Sequence, residues 1–253
     1  ANLPVHQCRK LYDAGSISCP TGAEFPNSLE TAQQSYADRL SQVLDSGHFP
    51  LVLGGGHEIA YGSFTGLAQH LAQQQHDQAP RIGIINFDAH FDLRRDAQPS
   101  SGTPFLQIAE QCQQRQWPFH YFCLGVSEYA NTPALFRRAE SHQVQWTMDR
   151  DTIWPQVANV EHQLEHFIHQ VDYLYLTICL DVFPAAYAPG VSAPSAFGVE
   201  VSLVEHLIQS IANSGKLRLA DIAEMSPGFD QDQRTARLAA RLGARIANIV
   251  ASD

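Results

Sequence analysis

The chain has 253 residues, enough for one large domain or two small ones, and 44% of them are apolar, which supports a sizeable core and excludes disorder. A formal net charge of −10 argues against a nucleic-acid partner, whose phosphates need clustered Lys and Arg. No run of ~20 apolar residues occurs, so no stretch reads as a membrane-spanning helix.

Residues 1–27 carry Pro4, Gly15, Pro20, Gly22 and Pro26 and read as loop, with Leu11-Tyr12 the only hint of a strand. Ser28 then precedes a helix whose apolar positions Leu29, Ala32, Tyr36, Leu40 and Leu44 follow a three-four spacing, and Gly47 ends it. Leu51-Val52-Leu53 is a short buried strand, and Gly54-Gly55-Gly56-His57-Glu58 follows at once. A helix over 59–75 returns to Pro80 and to the strand of Ile82, Ile84 and Ile85. Strand, helix, strand is the pattern of a parallel sheet with right-handed crossovers.

The alternation continues with a helix over 105–114, a strand over 121–126, a short helix over 132–140 and a weak strand over 144–147. Val157, Val160, Leu164, Phe167 and Val171 stripe a longer helix, and residues 173–180 form the most apolar strand of the chain. Ser202 and Glu205 have the spacing of a capping box for a helix through Ile211. Residues 217–222 are the last strand, and a closing helix puts Leu238, Leu242, Ile246 and Ile249 on one face. There is no repeat, low-complexity tract or linker, so residues 1–253 read as a single domain.

Five cysteines (Cys8, Cys19, Cys112, Cys123, Cys179) are scattered and odd in number, which suits reduced thiols in a cytoplasm. No secretory signal is visible, and the opening Ala1-Asn2-Leu3-Pro4 suggests a processed product or a fragment.

In an open parallel sheet, ligands bind beyond the carboxyl ends of the strands. Four predicted strand ends carry functional groups. The first is the glycine turn with His57 at its rim. The second is Asn86 to Arg94, reading N-F-D-A-H-F-D-L-R, where Asp88, His90 and Asp92 alternate. Carboxylates with a neutral imidazole suit a divalent cation of Mn, Fe or Zn type, whereas the plain alternative is a polar loop. The third is Thr177-Ile178-Cys179-Leu180-Asp181, in which Cys179 and Asp181 face the same way if the strand stays extended. An aspartate ending so apolar a strand is costly unless paired or metal-bound, while Cys179 reads equally as a small buried hydrophobe. The fourth is Asp221-Ile222-Ala223-Glu224. These groups converge only if the sheet is parallel.

His162-Gln163-Leu164-Glu165-His166 matches the inverted zinc-protease signature H-x-x-E-H. Val160, Leu164 and Phe167 claim the buried stripe of that helix, so His162, His166 and His169 are expected in solvent. A solvated histidine face is the better reading.

G-G-G-H-E at 54–58, D-A-H-F-D at 88–92, T-x-C-x-D at 177–181 and E-M-S-P at 224–227 resemble the ureohydrolase family of arginases, agmatinases and formimidoylglutamases. The likeness runs from about Leu51 to the end. Residues 182–186 (V-F-P-A-A), 189–194 (P-G-V-S-A-P), 101–105 (S-G-T-P-F) and 232–237 (D-Q-R-T-A-R) are similar to the formimidoylglutamase branch. The resemblance implies a three-layer α/β/α sandwich around a mostly parallel sheet and a pair of manganese ions. By it, His57, Asp88, His90, Asp92 and Asp181 fall on metal-ligand positions, with Asp88 bridging and a water held between the ions as nucleophile. Asp92 then orients that water and passes its proton to the leaving amine, and Glu224 binds the cationic amidine. Arg94 lies two residues after Asp92, where an arginine suits a substrate carboxylate, although a surface arginine explains it as well.

Cys179 stands where the family has a second bridging aspartate, which puts the metal and its stoichiometry in doubt. The family's N-terminal strand region has no counterpart here, so an unpaired sheet edge is expected. The implied activity is metal-dependent hydrolysis of N-formimidoyl-L-glutamate to glutamate and formamide, in histidine degradation. The alternatives are a related amidino- or guanidino-acid hydrolase and a protein impaired by Cys179. A small-molecule substrate, a cytoplasmic location and a homo-oligomer complete the expectation.

Overall fold

The apolar runs of the sequence become the strands of one wholly parallel, six-stranded sheet in the computed structural model, whose described residues are 11–19, 27–74 and 78–250. The strands are β1 (Leu51–Leu53), β2 (Ile82–Phe87), β3 (His120–Val126), β4 (Gln145–Met148), β5 (Tyr173–Cys179) and β6 (Leu217–Ala223). Helix α1 (Asn27–Asp45) precedes the first strand. Between and after the strands lie α2 (Ile59–Ala72), α3 (Pro104–Arg115), α4 (Pro133–Ser141), α5 (Val157–His169), α6 (Val201–Asn213) and α7 (Arg234–Val250). The sheet order is β1-β6-β5-β2-β3-β4.

Successive strand residues point to opposite faces, and the core divides accordingly. Ile85 and Phe87 of β2, with Leu174, Leu176 and Ile178 of β5, pack against Leu164 and Phe167 of α5, Leu203 and Leu207 of α6, and Leu242 and Ile246 of α7. Ile82 and Ile84 of β2, with Tyr175 of β5, pack instead against Leu40 of α1, Phe64 and Leu67 of α2, Phe105 of α3 and Leu135 of α4. Helices therefore cover both faces, four on one and three on the other. This is the expected three-layer sandwich, and β2 and β5 are buried on both sides as central parallel strands must be.

Order matters for the site. From β2 the chain runs outward through β3 to β4, then returns to place β5 and β6 on the other side of β2. The strands β1, β6, β5 and β2 are thus contiguous, and they are the four whose ends carry the candidate groups. The carboxyl ends beside the point where the order reverses are where such a sheet leaves a crevice.

Some expectations change. Leu11 and Tyr12 form no strand; residues 11–19 have no regular element. Residues 1–10, including Cys8, and the end of the second predicted helix at Gln75 lie outside the described residues. The capping box is absent: α6 is capped at Glu200, which puts Ser202 inside the first turn, where its Oγ accepts from the Trp154 indole at 3.0 Å. Glu205 reaches across to Arg241 of α7 instead, through two hydrogen bonds of 2.6 and 2.8 Å. Leu51–Leu53 is not the buried strand expected: among the described strands β1 lies at the edge of the sheet with β6 as its one neighbour, so it is only partly covered and Leu53 is 70% exposed.

Candidate metal centre

The turn after β1 is tightest at Gly54, where the backbone passes close under the side chain of Ile59. A Cβ on Gly54 would collide with Ile59, and one on Gly56 with the carboxylate of Glu58. The turn carries His57 inward. Its side chain is fully buried, not at the rim as the sequence suggested. His57 Nδ1 lies 2.9 Å from Asp88 Oδ2 and 2.9 Å from Asp92 Oδ2, while Nε2 lies 2.9 Å from Thr177 Oγ1. Phe105 packs edge-on against the ring.

Asp88 follows directly on β2 and is also fully buried. Its Oδ1 accepts the His90 backbone N–H at 2.7 Å, and Asn86 donates to its Oδ2 at 3.1 Å. His90 Nδ1 lies 3.1 Å from Asp181 Oδ2 and 3.4 Å from Asp88 Oδ1. Asp181 falls in a single 3-10 turn just after β5, two residues beyond Cys179, so the strand does not stay extended through it. The parallel sheet therefore brings His57, Asp88, His90, Asp92, Cys179 and Asp181 to one place.

Among the described residues, two groups of donors have the spacing to hold a cation. One is His57, Asp88 and Cys179; the other is Asp88, His90 and Asp181. Asp88 belongs to both, which is the position expected of a bridging ligand. Asp92 contacts the first group through His57.

Electrostatics point the same way. Burial pushes Asp181 up to about 7 and Asp92 up to about 6, and in both the charge of Asp88 adds to the effect. Asp88 itself is held well below the usual carboxylate range, because hydrogen bonds from His57 and His90 outweigh its burial. Burial disfavours the charged form of His90, but bonds to Asp181 and Asp88 reverse that and raise it to about 11. His57 is raised likewise by Asp88 and Asp92. Cys179 is raised by burial and then by Asp181 and Asp88, so its sulfur is a neutral thiol among these acids. Three carboxylates, those of Asp88 and Asp181 buried, face two histidines, and Asp181 Oδ1 is buried with no hydrogen bond. Oxygen, imidazole and sulfur donors in that arrangement fit divalent cations of the Mn or Zn class.

Glu224 closes the site from β6. Its Oε1 accepts the His57 backbone N–H at 2.8 Å, its own N–H donates to Gly55 O at 2.7 Å, and Ser192 donates to Oε2 at 3.0 Å. Glu224 has φ 71° and Asp92 φ 47°, left-handed conformations that cost non-glycine residues energy and tend to occur at functional sites. Arg94 is exposed, outside the buried cluster, with its chain lying over Gly102. Neighbouring Arg95 is engaged by Glu110 and Arg138 by the Leu93 carbonyl. His162, His166 and His169 are exposed on α5, as expected of a solvated face.

The sequence reading missed Thr177 as a partner of His57 and Asn86 as a partner of Asp88. Both share strand parity with a recognised ligand, Cys179 and Asp88 respectively, and that parity was the available signal.

Comparison with known proteins agrees with this geometry. Residues 2–248 match the arginase family. The chain is 53% identical over 251 residues to a formimidoylglutamase of Ralstonia nicotianae, covering 99% of this chain and 75% of that one. It is 54% identical over 243 residues to a formimidoylglutamase of Aeromonas salmonicida, covering 96% and 74%. In structure it is similar to formimidoylglutamase from Bacillus subtilis, with a TM-score of 0.79, 22% identity, and 95% and 71% of the two chains covered. It is also similar to Trypanosoma cruzi formiminoglutamase with Mn2+, with a TM-score of 0.80, 22% identity, and 96% and 76% covered.

Proposed function

This chain belongs to the arginase family, and from that premise we propose that it hydrolyses N-formimidoyl-L-glutamate to L-glutamate and formamide. The observation that carries the reading is Asp88, shared by two adjoining donor groups and walled by Glu224. The identity of the substrate is supported by the likeness to formimidoylglutamases over nearly the whole chain.

His57, Asp88 and Cys179 would hold one manganese ion, and Asp88, His90 and Asp181 the other, with Asp92 beside them. When bound, the pair supplies Lewis-acid polarisation and lowers the pKa of water.

The chain's own residues do the rest. Glu224 presents Oε2 toward Ser192, whose side chain is exposed, and offers a carboxylate to the amidinium of the substrate. Arg94 offers a guanidinium for a bidentate grip on a substrate carboxylate. Asp92 takes a proton from the attacking water and returns it to the α-nitrogen as the C–N bond breaks. The amidine carbon leaves as formamide and the amine as glutamate. Asp92, beside His57 and Asp88 in the cluster, is placed for both transfers.

We also infer a cytoplasmic location, supported by free thiols at Cys19, Cys112, Cys123 and Cys179. A homo-oligomer acting on a small molecule and a single-domain organisation are proposed alongside. No helix among the described residues is long and apolar enough to cross a membrane.

The test is formamide release by Mn-loaded protein from N-formimidoyl-L-glutamate, with arginine, agmatine and a guanidino acid beside it. Turnover of the first alone is expected, with Arg94→Ala raising KM at little cost in kcat. Preference for a guanidine substrate, or no turnover with any divalent metal, would contradict the assignment.

A further inference from the structure

The loop that carries Asp88, His90 and Asp92 is held from the neighbouring strand by one buried tyrosine. Tyr121 and Cys123 of β3 share a face, and the register sets Cys123 opposite Asn86 of β2. Asn86 Nδ2 donates to the Tyr121 hydroxyl at 2.9 Å and to Asp88 Oδ2 at 3.1 Å. The Tyr121 hydroxyl donates in turn to Phe91 O at 3.2 Å, the carbonyl of the residue between His90 and Asp92. The Tyr121 ring stacks on Phe105 with centroids 4.3 Å apart, and Phe105 is the ring that packs edge-on against His57. One side chain is thus joined to Asp88 through Asn86, to the loop through Phe91 and to His57 through Phe105.

Donor counting gives these bonds a direction. A carbonyl oxygen only accepts, so the Tyr121 O–H donates to Phe91 and its oxygen accepts from Asn86. Asn86 therefore directs one amide N–H at Tyr121 and the other at Asp88. Its own Oδ1 is left buried with no hydrogen bond. Turning the amide over would set that oxygen against the Asp88 carboxylate, acceptor facing acceptor. The amide forgoes a bond of its own to hold Asp88, which is unfavourable for folding alone and points to the site as its purpose. The other oxygen of Asp88 is fixed by the His90 backbone N–H at 2.7 Å. Both oxygens of the shared carboxylate are therefore aimed by donors that are not themselves candidate ligand atoms.

We propose that Asn86 and Tyr121 are positioning residues for Asp88: together they hold the shared carboxylate and its loop in the geometry that binds cations. This rests on the reading of Asp88 as a metal ligand common to both donor groups. Removing a partner that orients a ligand in this way typically weakens metal binding by about 10–100-fold.

The test is calorimetric titration of metal-free protein with Mn2+, comparing wild type with Tyr121→Phe, Asn86→Leu and Tyr175→Phe. Tyr175 is as deeply buried as Tyr121 and packs in the same core, but its hydroxyl donates to Asp221, outside both donor groups, at 2.6 Å. Phenylalanine keeps each ring in place and removes only the hydroxyl. Binding weaker by about tenfold or more is expected for Tyr121→Phe and Asn86→Leu, with Tyr175→Phe within about threefold of wild type. A general loosening of the core would weaken binding alike at the two tyrosines. That result, or wild-type affinity in both Tyr121→Phe and Asn86→Leu, overturns the proposal. Should the leucine variant not fold, Tyr121→Phe against Tyr175→Phe decides by the same criterion. A wild type that takes up no Mn2+ overturns the metal reading beneath the proposal, and is recognised before any variant is made.

Discussion

Cys179 puts a buried thiol among acids, at the end of the central strand β5. A thiolate is a softer ligand than a carboxylate and offers one donor atom. Its proton must leave before it ligates, and the carboxylates around it make that harder. Replacing Cys179 with Asp should therefore tighten Mn2+ binding and weaken preference for Zn2+, by about tenfold in the ratio of the two affinities. Competitive titration of the two metals measures it; an unchanged ratio would mean that the sulfur does not ligate. The same residues give a pH dependence. Asp181 near 7 and Asp92 near 6 hold protons that a cation must displace. Mn2+ affinity should rise as pH increases from 5.5 to 7.5, by about tenfold or more, with proton release on binding. Calorimetry in buffers of differing ionisation enthalpy detects the protons, and uptake instead of release would contradict these ionisation states.

At the scale of elements, the site depends on how closely helices seat against the sheet. Gly83 of β2 lies under α5, where an added Cβ would stand 2.9 Å from Val171 Cγ2 and 3.0 Å from Phe167 Cε1. Gly83→Ala should lower stability by about 1–3 kcal/mol by overpacking, read from a denaturant midpoint. A neutral outcome would show that α5 can shift without strain. Much at this level was legible in the sequence. The 3.6-residue spacing located α1 to α7, short apolar runs located β1 to β6, and a glycine turn marked the end of β1. What the sequence did not give was register. Ser202 and Glu205 have capping-box spacing, but Glu205 serves an ion pair with Arg241, a tertiary contact that local spacing cannot reveal. Asp221 read only as part of an acid-bearing strand end, because nothing local says that Thr177 is its cross-strand neighbour. His57 read as a rim residue because its burial comes from Phe105 and Thr177, both distant in sequence.

Across the whole molecule, the candidate centre ties β1, β6, β5 and β2 together at one edge of the sheet, between helices that cover its two faces. A cation bound there should stabilise the fold as a unit. At a free Mn2+ concentration about a hundredfold above Kd, the unfolding free energy should rise by about 2.7 kcal/mol for each independent site. Addition of a chelator should reverse it. The six candidate ligands were legible as types at strand ends, whereas their convergence depended on the sheet order, in which a late strand, β5, lies beside the early β2.

The central claim is that these four strand ends form a two-cation site in which Asp88 is shared and Cys179 takes part. The most direct measurement is the manganese content of the protein by mass spectrometry, after loading and desalting. The account predicts about two ions per chain, falling to one or fewer in Asp88→Asn. One ion or fewer in the wild-type chain would contradict it.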